Sequence, residues 1–476
     1  MTTLYAFLPE LVLASGALGL FALSLGTGKD RAGWWVALGT ALAAWVATWM
    51  TFDVRETIFD GAYRIDGFSQ TLKLILIGVL AVLVLMAGEL RDVREDIRGE
   101  YRFLLVMSAL GFVLVTSCLD VLALVVSLEL GSFPLYLAVA TRREREGQRS
   151  QMESAIKYVM FGVAANGIMF FGLGYLYGLT GTTSMPLMAE RLRPVMGTPL
   201  AVAGLLMALA AVWYKLAVFP FHFWTPDVYQ GASNETAGLV ASLPKLGAVL
   251  VFHRFMAFAA PDSRVIPLVL ACVAAASMLY GNFIALAQTD LKRLLGFSGI
   301  AHAGYAVLGF VAMDGAGTIA AFYYLTSYIL MVLACFTVIS RASPDGENVR
   351  IADLAGLHRR SPWLAVTLMV GLFGLAGIPP FAGFMGKLAL FTAALKQGHL
   401  VLVVIAVLNA AVAVYYYLSV VREALFGDPG DRKPIVLDAP SRVLCGVLVV
   451  GIVLLGVFPG PVFNYIGSAL GVAAGG

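Results

Sequence analysis

Residues 121–140 have the sequence VLALVVSLELGSFPLYLAVA, an apolar run with a single charged side chain, Glu129. A helix needs about 20 apolar residues to cross the hydrocarbon core of a bilayer. A charge near the middle of such a helix costs about 2.5–3.5 kcal/mol on insertion scales. We therefore expect Glu129 to lie on an ion path. The alternative is a helix–helix tether with a buried partner.

Similar apolar runs continue along the chain, whose 476 residues are 60% hydrophobic and only 13% charged. This balance favours lipid as the solvent and predicts an all-α integral membrane protein. Hydropathy predicts about 14 transmembrane helices. Their approximate ranges are 5–25, 33–53, 69–90, 101–118, 121–140, 153–179, 199–220, 236–259, 265–287, 294–313, 317–340, 361–396, 400–425 and 440–463.

Basic residues in the loops are sorted by side. The loops after even-numbered segments hold only Arg55, Arg64, Arg191, Arg193, Arg264 and Lys396, and the other loop lysines and arginines follow odd-numbered segments. Short cytoplasmic loops carry an excess of Lys and Arg. The sequence therefore predicts that the odd-numbered loops face the cytoplasm and that both termini face outward.

Two predicted segments are interrupted by proline, at 218–222 (VFPFH) and 374–381 (GLAGIPPF). Proline removes a backbone donor, and within a membrane such breaks survive only when buried in protein or lining a wet cavity. Paired broken helices are typical of transporters built from inverted repeats. The breaks fall in the seventh and twelfth segments. Within a single transmembrane domain, 1–476, they predict pseudo-repeats at 101–259 and 265–425.

Three lysines lie at central depth near these breaks or near a proline: Lys215, Lys245 and Lys387. A buried ammonium gives up its proton more readily, and a nearby carboxylate holds the proton in place. A change in the distance between Glu129 and Lys215 would therefore act as a proton switch. Lys215 holds its proton while Glu129 is near and releases it toward Lys245 when the two separate. The alternative for each lysine is snorkelling to the interface, which we expect for Lys73 and Arg254 near segment ends.

Two histidines and a further lysine are additional candidates. His302 lies in the tenth predicted segment and His222 follows the first break. Imidazole titrates near neutrality, so each can relay protons, although a lone membrane histidine is also a common packing residue. Glu153 and Lys157 form an i,i+4 pair that stabilises a helix start, and Lys157 extends the candidate charge chain.

Six motifs stand out: FHFWTPDVYQGA at 221–232, QTDLKRLL at 288–295, SGIAHAGY at 298–305, GLAGIPPFAGFMGK at 374–387, LPE at 8–10 and DGFS at 66–69. Together they resemble the subunit N family of the NADH-quinone oxidoreductases, which are respiratory complex I. The resemblance runs nearly end to end. The form WTPDVY at 224–229 is similar to subunit N rather than to the related subunits L and M.

The resemblance implies an antiporter-like fold with inverted repeats, in a proton-translocating subunit without a redox centre of its own. The implied proton-path residues are Glu129, Lys215, Lys245, Lys387, His302 and Lys157. NADH, FMN, iron–sulfur clusters and quinone are then expected elsewhere in the complex, and no cofactor or metal in this chain. The implied partners are the antiporter-like subunit M, small membrane subunits and the lipid of a bacterial inner membrane, with no nucleic acid.

The sequence departs from the family pattern at residues 233–236, SNET, where prolines usually stand. We expect Asn234 to cap the next helix and Glu235 to lie in its first turn. Two other functions stay open. One is a subunit of a cation/proton antiporter, although buried lysines repel Na⁺ and favour proton transfer; the other is an anchoring subunit without transport.

Overall fold

A computed structural model describes residues 3–26, 30–144, 150–260 and 263–471. These residues form twenty α-helices, a two-stranded hairpin and two short 3-10 helices at 95–97 and 351–354. The elements are α1 Thr3–Ala6, α2 Leu8–Ser24, α3 Asp30–Met50, β1 Glu56–Ile58, β2 Tyr63–Ile65, α4 Gly67–Met86, α5 Arg98–Val115, α6 Val121–Ala140, α7 Ser150–Thr180, α8 Met185–Leu192, α9 Pro199–Leu216, α10 Trp224–Gly231, α11 Asn234–Met256, α12 Val265–Ala285, α13 Leu291–Val311, α14 Gly315–Ala342, α15 Leu357–Arg360, α16 Pro362–Ala376, α17 Ala382–Lys396, α18 Leu400–Phe426, α19 Ala439–Val457 and α20 Pro459–Ala469.

The helices match the predicted segments. In the described ranges, ten helices are long and apolar enough to cross a membrane: α4, α6, α7, α9, α11, α12, α13, α14, α18 and α19. Helices α2 and α16 are apolar but shorter. Each predicted segment coincides with a helix or, at 361–396, with the pair α16 and α17. The all-α membrane architecture is confirmed.

Both predicted helix breaks are present. Helix α9 ends before Ala217, which has a φ of 66°, and the chain resumes as α10. Helix α16 ends before Gly377, which has a φ of 85°, and the chain resumes as α17. A residue in the left-handed region is a common helix terminator. The discontinuous seventh and twelfth segments are confirmed, whereas the repeat boundaries at 101–259 and 265–425 stay predictions.

The chain divides into two compact units. The first comprises Met1–Leu216 and Leu243–Ile266, and the second comprises Ala217–Ser242 and Pro267–Gly476. In the first unit, α7 and α9 meet at Gly172, where an added Cβ would lie 2.5 Å from the Gly204 carbonyl oxygen. Small residues allow such close backbone approach between membrane helices. In the second unit, α13 is buried along almost its whole length.

A β-hairpin joins α3 to α4 in the first unit. Strands β1 and β2 pair antiparallel, with Ile58 opposite Tyr63. The Arg64 amide donates to the Ser117 carbonyl at 2.8 Å, which ties the hairpin to the turn between α5 and α6. Asp66 then caps α4 by accepting from the Ser69 amide at 2.8 Å. The hairpin thereby holds the side chain of Tyr63 near the first turn of α4.

Candidate functional site

Glu129 and Lys215 meet in the first unit. The Lys215 Nζ atom, in the last turn of α9, lies 3.4 Å from the Glu129 Oε1 atom on α6. The Lys215 side chain is 3% exposed and that of Glu129 is 16% exposed. The two residues that the sequence predicted as partners are therefore in contact and largely shielded from solvent.

Ser132 belongs to the same contact, although the sequence did not single it out. Lys215 Nζ donates to Ser132 Oγ at 2.6 Å, and Ser132 Oγ donates to the Leu128 carbonyl at 2.7 Å. That second bond turns a lone pair of the hydroxyl toward the ammonium. The only sequence signal is the spacing of three residues from Glu129, which puts both groups on one face of α6.

Three tyrosines lie next to this pair. Tyr214 precedes Lys215 on α9, and its hydroxyl donates to the Tyr158 carbonyl at 2.6 Å. The rings of Tyr136 and Tyr158 have centroids 4.8 Å apart. Gly162 on α7 leaves room for them, since an added Cβ would lie 2.5 Å from the Tyr136 hydroxyl oxygen and 3.1 Å from that of Tyr214. The tyrosine hydroxyls thus occupy space that only a glycine at 162 provides.

Lys245 and Lys157 have different environments. Lys245 lies on α11 and its residue is wholly buried. Lys157 forms the expected i,i+4 ion pair with Glu153 at 2.7 Å, with side chains 37% and 67% exposed. The ion pair of Lys157 therefore lies within α7, and its side chains are much more exposed than that of Lys215.

Lys387 lies at the second helix break, in the second unit. Its Nζ atom donates to the carbonyl oxygens of Leu375 at 2.9 Å and Ala376 at 3.0 Å. These carbonyls end α16, where the break leaves them without helical donors and the helix dipole favours a positive charge. The ring of Tyr305 lies 5.1 Å from the ammonium. The break thus creates a binding position for the ammonium.

His302 is held between two tyrosine hydroxyls. Its Nδ1 atom lies 2.6 Å from the Tyr324 hydroxyl oxygen, and its Nε2 atom lies 3.0 Å from that of Tyr417. The ring of Tyr305 is 6.1 Å from His302 by centroid distance. Because Tyr305 also contacts the Lys387 ammonium, the structure brings His302 and Lys387 into one buried cluster. Sequence reasoning did not identify Tyr324 or Tyr417.

His222 follows the packing alternative. It is wholly buried against Phe223 and Tyr280, with ring centroids 4.3 and 4.2 Å from its own. Neither ring nitrogen has a hydrogen-bond partner among the described residues. These contacts favour packing over proton relay as the role of His222.

The expectation that Lys73 and Arg254 snorkel is wrong. Lys73 forms an ion pair with Glu10 at 2.6 Å, and the side chains are 0% and 1% exposed. Arg254 is half-buried and donates from Nη2 to the Thr116 carbonyl. Both cations face polar groups of other chain segments, because the rotation of each helix directs them into the protein and not along its surface.

The predicted cap of α11 is also wrong. Ser233, not Asn234, precedes the helix, and its hydroxyl accepts from the Thr236 amide at 3.2 Å. Glu235 does lie in the first turn. It is 4% exposed and accepts from the Ser340 hydroxyl at 2.7 Å. A serine just before the helix competes with asparagine equally well for this role.

Comparison with known proteins places the chain in a family. The family described as NADH:quinone oxidoreductase/Mrp antiporter, transmembrane, matches residues 118–413. A protein of Opitutus terrae named NADH-quinone oxidoreductase subunit N 2 is 57% identical, over 99% of this chain and 98% of its own length. The chain belongs to the subunit N family of the NADH-quinone oxidoreductases. The resemblance drawn from the sequence motifs is confirmed.

Solved structures agree with this membership. A chain of Thermus thermophilus respiratory complex I is 31% identical and superposes with a TM-score of 0.82, over 98% of this chain and all of that one. A chain of the Mrp complex from a Dietzia species is 22% identical, with a TM-score of 0.84 over 98% of this chain and 97% of that one, a likeness in fold alone. As a member of the subunit N family, this chain is a multi-helix membrane protein.

Proposed function

We propose that this chain is a proton-translocating membrane subunit of a bacterial NADH-quinone oxidoreductase, with no redox centre of its own. The observation that carries the proposal is the buried contact of Lys215 with Glu129 and Ser132 in a chain of the subunit N family. Ionisable residues inside membrane proteins are costly and mark ion pathways. A glutamate and a lysine that can change their separation are sufficient to hold and release a proton.

The Glu129–Lys215 pair is the switch in this proposal. When Glu129 is close, its charge keeps the proton on Lys215. When the two separate, the ammonium is left in apolar surroundings and releases its proton. Lys245, buried on α11, is the group that we expect to accept it. Ser132 contributes by offering the ammonium a second acceptor, away from the carboxylate.

Lys387 and His302 carry protons in the second unit. The carbonyls that bind the Lys387 ammonium are fixed by the helix break, so the lysine keeps one position while its protonation changes. His302 can donate from one ring nitrogen while it accepts at the other, which suits a relay between Tyr324 and Tyr417. Lys157, beside Glu153, is a proposed outlying member of the path.

The driving energy must come from partner subunits. Moving one charge against 100 mV requires about 2.3 kcal/mol. We propose that NADH, FMN, iron–sulfur clusters and quinone are bound elsewhere in the complex. The antiporter-like subunit M and small membrane subunits are the proposed neighbours. The proposed location is the bacterial inner membrane, with both termini on the periplasmic side.

The competing function is cation/proton exchange, which the likeness in fold to the Mrp chain raises. A Na⁺ path needs carboxylate and carbonyl oxygens free to bind the ion. At the second break the carbonyls of Leu375 and Ala376 already bind the Lys387 ammonium. A cation in this position is repelled, whereas a proton can be exchanged, so the geometry favours proton transfer.

The first test replaces Lys245 by alanine in the assembled complex. We expect proton pumping and coupled quinone reduction to fall while assembly stays normal, since a buried proton acceptor is lost. The matched control is Lys396→Ala, which removes an exposed lysine at the end of α17. Unchanged pumping by an assembled Lys245→Ala complex would remove Lys245 from the mechanism.

Purification of the tagged chain in mild detergent separates the two functions. Recovery of flavin and iron–sulfur subunits together with NADH-driven quinone reduction supports the proposal. Recovery with antiporter-like partners only, and without a redox chain, would favour cation/proton exchange.

A further inference from the structure

A second buried glutamate–lysine pair lies in the first unit, on α2 and α4. The Lys73 Nζ atom is 2.6 Å from the Glu10 Oε1 atom, and both side chains are shielded from solvent. The Tyr63 hydroxyl donates to the same Oε1 atom at 2.6 Å. The Lys73 ammonium also lies 5.3 Å from the centre of the Tyr63 ring. The ammonium of Lys73 and the hydroxyl of Tyr63 thus both lie against a single carboxylate oxygen.

The other oxygen of Glu10 is left over. Its Oε2 atom is buried and has no hydrogen-bond partner among the described residues. Most buried polar atoms in proteins have at least one partner, so an exception calls for an explanation. A free, buried carboxylate oxygen is a position at which a proton can bind.

Tyr63 keeps its role as a donor at any pH at which the complex works. Burial, followed by the charge and the hydrogen bond of Glu10, raises the pKa of Tyr63 well above its usual value. The nearby hydroxyl of Ser117 opposes this rise in pKa but does not cancel it. Tyr63 therefore stays protonated, and the groups of the cluster that can exchange protons are Glu10 and Lys73.

The turn between α5 and α6 connects this cluster to the helix of Glu129. Tyr63 forms an antiparallel β-bridge with Cys118 in that turn. The Cys118 Sγ atom lies 3.5 Å from the Ser127 hydroxyl oxygen on α6, two residues before Glu129. Arg254 donates to the Thr116 carbonyl in the same turn. The Glu10 cluster and the α6 helix thus attach to one short segment.

Another buried pair in this unit shows what a tether looks like. Arg142 Nε lies 2.6 Å from Asp92 Oδ2, with side chains 3% and 1% exposed, beyond the opposite end of α4. A guanidinium does not lose its proton in proteins. The Asp92–Arg142 pair can hold two loops together but cannot pass a proton through its cation. The Glu10–Lys73 pair is equally buried, but its cation is a lysine, which can release and rebind a proton.

We propose that Glu10 and Lys73 form a second proton-exchange site, acting in series with Glu129 and Lys215. This inference rests on the proposed function. A proton binds to Glu10 Oε2 and neutralises the carboxylate, so Lys73 loses its counter-charge and releases its own proton to the next acceptor of the series. The proton on Glu10 then passes to Lys73 and restores the ion pair. One proton enters and one leaves in each cycle.

The test replaces Lys73 by arginine, which keeps the ion pair but cannot release a proton. We expect the Lys73→Arg complex to assemble and to pump clearly fewer protons per electron. The matched control is Arg142→Lys, which conserves charge in the tether pair and should leave that ratio unchanged. A Lys73→Arg complex that assembles with a normal ratio would overturn the inference, because a purely structural ion pair tolerates arginine.

Lys215→Arg, measured in parallel, separates this inference from the proposed function. Impaired pumping in Lys215→Arg with normal pumping in Lys73→Arg would overturn only the second site. Normal pumping in both would overturn the proposed function as well.

Infrared difference spectra of the complex under turnover give a readout that does not depend on Lys73→Arg assembling. A protonated-carboxyl signal should appear in the unsubstituted complex and be lost in Glu10→Gln. The same signal should remain in Arg142→Lys. Absence of that signal from the unsubstituted complex, or its persistence in Glu10→Gln, would overturn the inference.

Discussion

Lys215 donates to the Ser132 hydroxyl at 2.6 Å while its ammonium stays 3.4 Å from the Glu129 carboxylate. Both acceptors lie on α6, one helical turn apart, so a small displacement moves the ammonium from one to the other. In a medium of low dielectric constant, the attraction between two charges changes steeply with their separation. The serine therefore competes with the carboxylate for the ammonium and sets how firmly Lys215 holds its proton.

Replacing Ser132 by alanine should close the Glu129–Lys215 ion pair. A hydrogen bond to a charged group is worth about 1.5–3 kcal/mol, so we expect proton pumping to slow by roughly tenfold or more. Ser132→Thr keeps the hydroxyl and should retain more activity. Proton uptake by vesicles that contain the assembled complex, measured against quinone reduction, reports the change.

Ser108→Ala is the control for this substitution. Ser108 is a buried serine on α5 whose hydroxyl donates to the Gly131 carbonyl on α6 at 2.7 Å. Its loss removes a hydrogen bond to the same helix without touching the lysine, and pumping should be unaffected. Equal pumping by the Ser132→Ala and Ser108→Ala complexes would show that Ser132 does not control Lys215.

Gly162 provides a second way to disturb Lys215. An added Cβ there would lie 2.5 Å from the Tyr136 hydroxyl oxygen, so Gly162→Ala must displace a ring beside Tyr214, the neighbour of Lys215. Overpacking of this kind typically costs about 1–3 kcal/mol. We expect lower thermal stability of the complex and slower pumping. Gly167→Ala, also on α7, is the control because nothing lies within 4 Å of its added Cβ.

The sequence predicted the parts of the site that break a local rule. Glu129 and Lys215 are charged residues within apolar segments, and Pro220 and Pro379 interrupt predicted helices. Each of these features can be recognised in the sequence without knowledge of the fold. Ser132 was not predictable in this way. Hydroxyl groups are compatible with apolar helices, and which one meets an ammonium depends on how the helices are rotated against each other.

Lys73 is a residue that the sequence did single out but whose side-chain direction was predicted wrongly. Its position in the second turn of α4 suits snorkelling, and only the rotation of α4 toward α2 brings it to Glu10. The α11 cap differs for a local reason, because Ser233 and Asn234 are adjacent and either can cap a helix. Position along a segment was predictable, whereas the direction of a side chain was not.

Tyr324→Phe tests whether His302 acts as a relay. A neutral imidazole donates from one nitrogen and accepts at the other, so Tyr324 and Tyr417 have opposite hydrogen-bond roles at any moment. Removing the Tyr324 hydroxyl interrupts that chain, and proton pumping by the assembled complex should fall. Its neighbour Tyr323 donates to the Leu455 carbonyl at 2.5 Å and does not contact His302 through its hydroxyl. Tyr323→Phe should lose about 1 kcal/mol of stability and keep normal pumping; equal pumping in the two variants would argue against the relay.

Gly377 and Gly398 allow the position of Lys387 to be tested against backbone strain alone. Both glycines have positive φ, 85° and 81°, so alanine at either costs about 1–2 kcal/mol from the left-handed backbone. An added Cβ at 377 would lie 3.0 Å from Lys387 Cδ and 3.3 Å from its Nζ, whereas at 398 nothing lies within 4 Å. Gly377→Ala should therefore push the ammonium off the carbonyls that end α16 and reduce proton pumping. Gly398→Ala should lower thermal stability about as much as Gly377→Ala does, but leave pumping normal. If the two variants pump equally well at matched assembly, the carbonyl-bound position of Lys387 is not needed for proton transfer.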